Sequence, residues 1–439
     1  MSKLNVPGKQ AVHATFEGAK AVALSPIQEL RRTVMACLLW ESGFYESGKD
    51  IADRIASLVP LVKETGDLEK TVIEARNDMH LRHVPLFLIR EMARHDNHKG
   101  AVACLLEKTI QRPDELAEFM AIYWKNGRCP ISAQVKKGLA AAFRKFDEYQ
   151  LAKYNRKAPI RLRDILFLVH PKPENKGQED MWRRLAESRL NPPDTWERAL
   201  SSGCGKKETW TRMLSEKKLG SLALLRNLRN MMDAEVDFEL INSAILAMSV
   251  DKILPFRFIA AKQSAEEFAP ALEKSMLKSL EGTAKLKGRT ILLVDASGSM
   301  YSYVSFRAAM SRFDASHGLA VLLREVCENV SIYTFSEYIK KVKDARGFAL
   351  VSNISASQPA GGTKLGKAVE FINKNEDYDR IIVLTDEQTE DAVPDPKKSL
   401  AYMINIASSA NGVGYGAWTH IDGWSESVVK YISEMAKEF

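Results

Sequence analysis

The sequence predicts two unlike modules: a stack of short helices over residues 15–287, read as an α-solenoid, followed by a doubly wound α/β domain over 288–439. Three observations carry this. The first part shows about fourteen segments with apolar residues at helical spacing and almost no period-two alternation. The second part alternates short, wholly apolar runs with helical segments. The charge changes sign between them: 47 Lys+Arg against 37 Asp+Glu in residues 1–288, and 16 against 19 in 289–439.

The helical segments read as 28–41, 49–65, 67–79, 85–95, 97–109, 113–123, 131–154, 160–168, 178–188, 194–201, 206–214, 218–230, 233–246 and 264–277. Pro and Gly fall mostly between them, as at Pro113, Pro130, Pro171, Pro192, Gly203 and Pro255. So many short helices are hard to bury in one bundle. Stacked antiparallel pairs bury them naturally, and an irregular multi-helix globule is the rival arrangement. After residue 288, strands are expected at 290–295, 329–335, 380–385, 402–407 and 418–421. Helices are expected at 304–328, 364–374 and 425–437.

At 439 residues the chain is long enough for two or three cores. No apolar run approaches 18 residues and the N-terminus lacks a signal-peptide core, so a cytoplasmic monomer without a membrane partner is expected. The five cysteines are scattered and form no C-x-x-C, which argues against a disulfide scaffold or a structural zinc site.

The loop after the first strand reads Asp295-Ala296-Ser297-Gly298-Ser299-Met300. Ligands of such sheets bind beyond the carboxyl ends of the strands. The Asp-x-Ser-x-Ser spacing turns one carboxylate and two hydroxyls toward one point. Such oxygens suit a hard cation, Mg²⁺ before Mn²⁺ or Ca²⁺. Two further segments can reach that point: Gly361-Gly362-Thr363, and Asp386 after the run RIIVLT. The set D-A-S-G-S-M, G-G-T and L-T-D resembles the metal-ion-dependent adhesion site of von Willebrand factor A domains. The resemblance implies that Asp295, Ser297, Ser299, Thr363 and Asp386 hold one divalent ion, directly or through water. A single ion with an open position is also a docking point for a carboxylate of an acidic partner. Phosphoryl chemistry is the enzymatic alternative, but no P-loop, second metal cluster or Gly-x-Ser-x-Gly occurs.

Residues 125–163 hold eleven Lys+Arg, opposed only by Asp147 and Glu148. Lys136, Lys137, Arg144, Lys145, Lys153 and Arg156 are interleaved with Phe143, Phe146, Tyr149 and Tyr154. Cations of this density suit phosphates, and an exposed ring suits a base. Phe143 and Phe146 read better as core. His170-Pro171-Lys172-Pro173 forms a rigid turn. Arg226 and Arg229 sit three apart in LRNLRNM, at the spacing of one helix face.

Several of these segments together resemble the TROVE, or Ro ribonucleoprotein, family in its bacterial form. The matching pieces are LLWESGFYESG (38–48), LRHVPLFLIREMAR (81–94), KKGLAAAFRKFDEYQLAKYNR (136–156), LRDILFLVHPKP (162–173), TWERALSSGCGKKETWTRML (195–214), LALLRNLRNM (222–231) and LPFRF (254–258). The resemblance implies HEAT-like repeats closed into a ring by the A-type domain. It implies a noncatalytic protein that binds small Y-like RNA on its outer surface. It also implies that single-stranded 3′ ends of structured or misfolded RNA enter the central hole, with an exoribonuclease as a possible co-worker in RNA quality control. Lys136, Lys137, Arg144, Lys145, Lys153 and Arg156 then fall in the basic RNA segment, and His170 and Lys172 in the turn beside it. A protein-interaction module and a metal-dependent hydrolase are the competing readings.

Overall fold

The computed structural model describes residues 14–432 apart from 22, 36, 38–46, 252, 282–284, 305–309, 415, 426–427 and 430–431. Most of the segment 38–48, and most of the helix expected at 425–437, lie outside the described residues. No described helix is long and apolar enough to cross a membrane.

The first ten helices are α1 (Pro26–Met35), α2 (Gly48–Leu58), α3 (Thr65–Asn77), α4 (His83–Met92), α5 (Val102–Thr109), α6 (Pro113–Tyr123), α7 (Ala133–Arg144), α8 (Glu148–Tyr154), α9 (Leu162–Val169) and α10 (Lys176–Ala186). They enclose one core, running from Leu30 to Leu185. Neighbours alternate in the chain, α3 against α5 and α5 against α7, as expected of helices stacked in two layers. The α5–α7 contact is close because Gly138 has no side chain. A Cβ there would stand 2.8 Å from the Ala103 carbonyl oxygen and 2.8 Å from Leu106 Cβ.

Seven more helices follow: α11 (Trp196–Ser201), α12 (Lys206–Ser215), α13 (Ser221–Arg226), α14 (Leu228–Asp233), α15 (Phe238–Ala247), α16 (Pro255–Ser264) and α17 (Ala269–Lys278). The α/β part comprises β1 (Leu286–Asp295), α18 (Arg312–Val326), β2 (Cys327–Phe335), β3 (Ile339–Lys341), α19 (Gly347–Ser355), α20 (Leu365–Asn375), β4 (Arg380–Thr385), β5 (Leu400–Asn405) and β6 (Thr419–Asp422). The sheet order is β3-β2-β1-β4-β5-β6, parallel throughout except for β3. Alternate residues of each strand serve opposite faces. Leu292, Val294, Ile382 and Leu384 pack with α16 to α19, while Ile291, Leu293, Ile381 and Val383 pack with α20.

The secondary structure changes type near residue 287, but the packed core does not break there. Trp210, Leu225, Phe258 and Leu272 belong to the same buried cluster as one face of the sheet. Gly318 of α18 lies against Phe256 of α16, where an added Cβ would come within 2.9 Å. The helical region touches the α/β domain a second time at its other end, through α1 and α2.

Four expectations need correction. The helix expected over 131–154 is two helices. Asp147 caps the second: its carboxylate accepts the Gln150 N–H at 2.7 Å, and the Gln150 side chain accepts the Asp147 N–H at 3.1 Å. The turn lets Phe146 enter the core. The helix expected over 218–230 breaks at Asn227, whose buried amide donates to the Ala223 carbonyl at 2.8 Å. Pro255 opens α16 rather than marking a loop, since its missing N–H is harmless at the first helical position. The short α19 and the three-residue strand β3 were not expected at all.

Candidate functional site

The parallel sheet brings the ends of β1, β2 and β4 to one edge. Asp295 ends β1, and its side chain is wholly buried. One carboxylate oxygen accepts the Ser297 N–H at 2.8 Å, and the other accepts the Thr385 hydroxyl at 2.6 Å. The hydroxyls of Ser297 and Ser299 stand 3.3 Å apart. Gly298 N–H donates to the Gly361 carbonyl at 2.9 Å, tying this loop to the Gly361–Thr363 segment. Thr363 is tied in turn to the loop after β4: its carbonyl accepts from the Thr389 hydroxyl at 2.8 Å and the Glu390 N–H at 3.0 Å. Asp386 opens that loop and is wholly buried.

The five positions Asp295, Ser297, Ser299, Thr363 and Asp386 therefore lie on adjacent, cross-bonded loops. Burial, with the Asp386 carboxylate beside it, holds the Asp295 carboxyl above the usual carboxylate range. Arg312, at the start of α18, places Nη1 3.2 Å from Asp386. Sequence reading missed Arg312 because its approach depends on how α18 lies over the sheet. Two buried carboxylates, two hydroxyls and a threonine form a hard-oxygen set that fits a small divalent cation. Among the described residues no group of three or more His, Cys, Asp and Glu could hold a metal, so any ion here depends on hydroxyl ligands.

The cations expected to meet RNA fall into two groups. Lys136 and Lys137 are exposed on α7 and have no ion pair among the described residues. Arg144 is exposed and stands 4.0 Å from Glu174. Lys153 lies over the rings of Tyr149 and Tyr154, 5.8 Å from each centroid. Arg156 and Lys172 are exposed. His170 is exposed in a left-handed conformation, φ 49°, and its N–H donates to the Leu166 carbonyl at 3.0 Å, ending α9.

Lys145 differs from these. Its ammonium donates to the carbonyls of Glu107 and Ile110 at the end of α5, and burial holds its pKa below the usual value. It is a cap on a neighbouring helix. Phe143 and Phe146 are core, whereas Tyr149 is 51% exposed.

Arg226 and Arg229 are both exposed, but the break at Asn227 puts them on separate helices, α13 and α14. The structure adds Arg257, on α16, close enough to Arg226 for burial and that second guanidinium to lower its pKa. Its guanidinium lies 4.8 Å from the Phe256 ring centroid. LPFRF gives no hint of this pairing because Arg226 is distant in sequence. Phe167 is likewise missed. It is 60% exposed, opposite the buried Leu162, Ile165 and Val169 of its helix, a phase legible only once α9 is known.

A helical stack followed by an α/β domain with an oxygen-rich loop is the class of protein that this geometry defines. Residues 182–312 of the chain match the family model described as the TROVE domain. The chain's fold is similar to that of the Ro (RSR) protein of Deinococcus radiodurans. The match to that crystal structure has a TM-score of 0.59 at 14% identity, covering 93% of this chain and 99% of that one. No curated protein sequence matches the chain.

Proposed function

We propose that this protein is a noncatalytic RNA-binding scaffold, which binds a small Y-like RNA and takes single-stranded 3′ ends of structured or misfolded RNA. The observation that carries the reading is the set of exposed cations Lys136, Lys137, Arg156 and Lys172, in a chain whose residues 182–312 match the TROVE-domain model. Phosphates supply most of the affinity of such surfaces and carry no sequence code. The exposed rings of Tyr149 and Phe167 add planes on which an unpaired base stacks. Arg226 and Arg257 form a second cationic pair, with Arg229 exposed on the next helix, α14, and this group suits a strand end.

Closure of the HEAT-like helices into a ring belongs to the same proposal. It is supported by the contacts that α1 and α16 both make with the α/β domain. Asp295, Ser297, Ser299, Thr363 and Asp386 are assigned to one Mg²⁺. When bound, the ion supplies a positive centre with an open coordination position, to which an acidic residue of a protein partner docks. An exoribonuclease is the class of co-worker that a scaffold presenting 3′ ends serves.

The test is binding of a structured RNA with a free 3′ tail across a salt series. The expected result is a steep fall in affinity with salt and no cleavage of the RNA in Mg²⁺. A flat salt response would sink the phosphate account, and cleavage lost on Asp295→Asn would establish a hydrolase instead.

A further inference from the structure

The loop after β4 has two duties. Its first residue, Asp386, belongs to the candidate metal centre. Its next three residues hold the N-terminal part of the chain. Glu387 stands 3.0 Å from Arg32 Nη1 of α1. The Gln388 side chain accepts the Phe16 N–H at 2.6 Å and donates to the carbonyls of Asp386 at 3.1 Å and Asn411 at 2.7 Å. The Thr389 carbonyl accepts the Thr15 hydroxyl at 2.7 Å. Around this loop, Arg32 donates to the carbonyls of Ser409 and Asn411, at 2.7 and 2.9 Å, and Arg54 of α2 donates to Ser408 at 2.7 Å.

The two joints between the helices and the α/β domain are chemically unlike. The α16–α18 joint is apolar and close-packed around Gly318, Phe256 and Leu319. The α1–α2 joint is rich in hydrogen bonds and ion pairs to one set of loops, with Arg32 also facing His420 and Asp422 of β6. Such a joint depends on loop geometry, because a guanidinium must meet carbonyls and a carboxylate in fixed directions.

We propose that a divalent cation at Asp386 governs how firmly α1 and α2 dock on the α/β domain. This rests on the metal assignment above. Without a cation, Asp295 and Asp386 are two buried carboxylates on neighbouring loops, countered by Arg312 at Asp386. The 386–389 loop carries their repulsion. A cation shared by the oxygen set removes it and holds Asp386. The backbone from Asp386 to Thr389 is continuous, so holding Asp386 also holds the groups that grip Arg32, Phe16 and Thr15. Linkage is reciprocal: whatever factor the ion adds to docking, docking adds to the affinity for the ion.

The experiment is amide hydrogen exchange on the full chain, with Mg²⁺ and after chelation, read over residues 26–58. The expected result is exchange slowed by about tenfold in Mg²⁺, within the usual range of coupling between sites, with α7 and α9 unchanged. Ser299→Ala removes one oxygen without touching the 386–389 loop and should abolish the difference. Arg32→Lys tests the reverse direction: Mn²⁺ affinity, read by electron paramagnetic resonance, should fall by a similar factor. If Mn²⁺ binds the wild type but exchange over 26–58 is the same with and without metal, this inference falls while the metal assignment stands. If no Mn²⁺ binds, both fall. Should Arg32→Lys fail to fold, the wild-type and Ser299→Ala comparisons decide alone.

Discussion

Arg32 and Glu387, from opposite ends of the chain, face one another at 3.0 Å with neither side chain in contact with water. Burying two charges is costly, and the pair is tolerable only because its remaining polar atoms are engaged. Arg32 also serves two backbone carbonyls, and the other Glu387 oxygen faces His420 at 2.9 Å and lies beside the N-terminal joint.

Truncation of one partner should therefore be severe. Arg32→Ala takes the guanidinium away from Glu387 and from the Ser409 and Asn411 carbonyls, leaving His420 as the one cation among the described residues beside this buried carboxylate, with an expected cost of about 3–5 kcal/mol. Urea unfolding of the variant should show this as a lower midpoint. A change under about 1 kcal/mol would mean that water enters the joint freely.

The same cluster makes stability fall at alkaline pH. Burial alone would lower the pKa of His420, but Asp422 at 2.5 Å and Glu387 at 2.9 Å outweigh it and raise the imidazole to about 9. A folded-state value above the unfolded 6.5 means the folded protein holds the proton more tightly. The contribution is complete below about pH 6.5 and is lost as pH rises through about 9. Unfolding free energies from urea titrations should decline over that window in the wild type, by on the order of 1–3 kcal/mol, and His420→Asn should flatten the decline.

Gly138→Ala should destabilise the helical stack by about 1–3 kcal/mol, the usual cost of overpacking. The added Cβ would meet backbone atoms of Ala103, which cannot turn aside as a side chain can. A thermal melt provides the check. An unchanged melting temperature would show that α5 and α7 separate easily.

Charge reversal should separate the two kinds of lysine. Lys136→Glu with Lys137→Glu should weaken RNA binding by about 1–2 kcal/mol or more and flatten its salt dependence, with stability unchanged. Lys145→Met should do the opposite. It strips the cap from the Glu107 and Ile110 carbonyls, costs about 1 kcal/mol of stability, and leaves the salt slope nearly intact. Salt-dependent titrations and melts of both variants measure this.

Removal of the divalent ion should lower the melting temperature of the wild type but not of Ser297→Ala combined with Ser299→Ala. Ligand binding to the folded state alone stabilises it by mass action. Equal melts of the wild type with and without Mg²⁺ would count against the assignment.

Much of the α/β domain was legible before the structure. RIIVLT is β4 residue for residue, and TILLVD ends β1 at Asp295, because a strand buried on both faces needs an unbroken apolar run. The helical region was legible as helices but not in its breaks. Asp147 and Asn227 end or start helices through local side-chain bonds that compete with a continuing apolar pattern. The pattern hid them because Phe146 and Leu228 are buried on either side.

By itself the sequence determined most of the elements, though not α16, α19 or β3, together with their order and the oxygen-bearing loop, since periodicity, caps and a six-residue turn are interactions between near neighbours. The tertiary structure decided which cations are free and which are spent. Lys136 and Lys145 look alike in one basic run, yet Lys145 is held by α5, from a position 35 residues earlier. It also decided that Arg32 and Arg312 reach the loop after β4. Those contacts depend on how whole helices lie against the sheet, and no local pattern encodes the distance between two elements that meet only when the chain is folded.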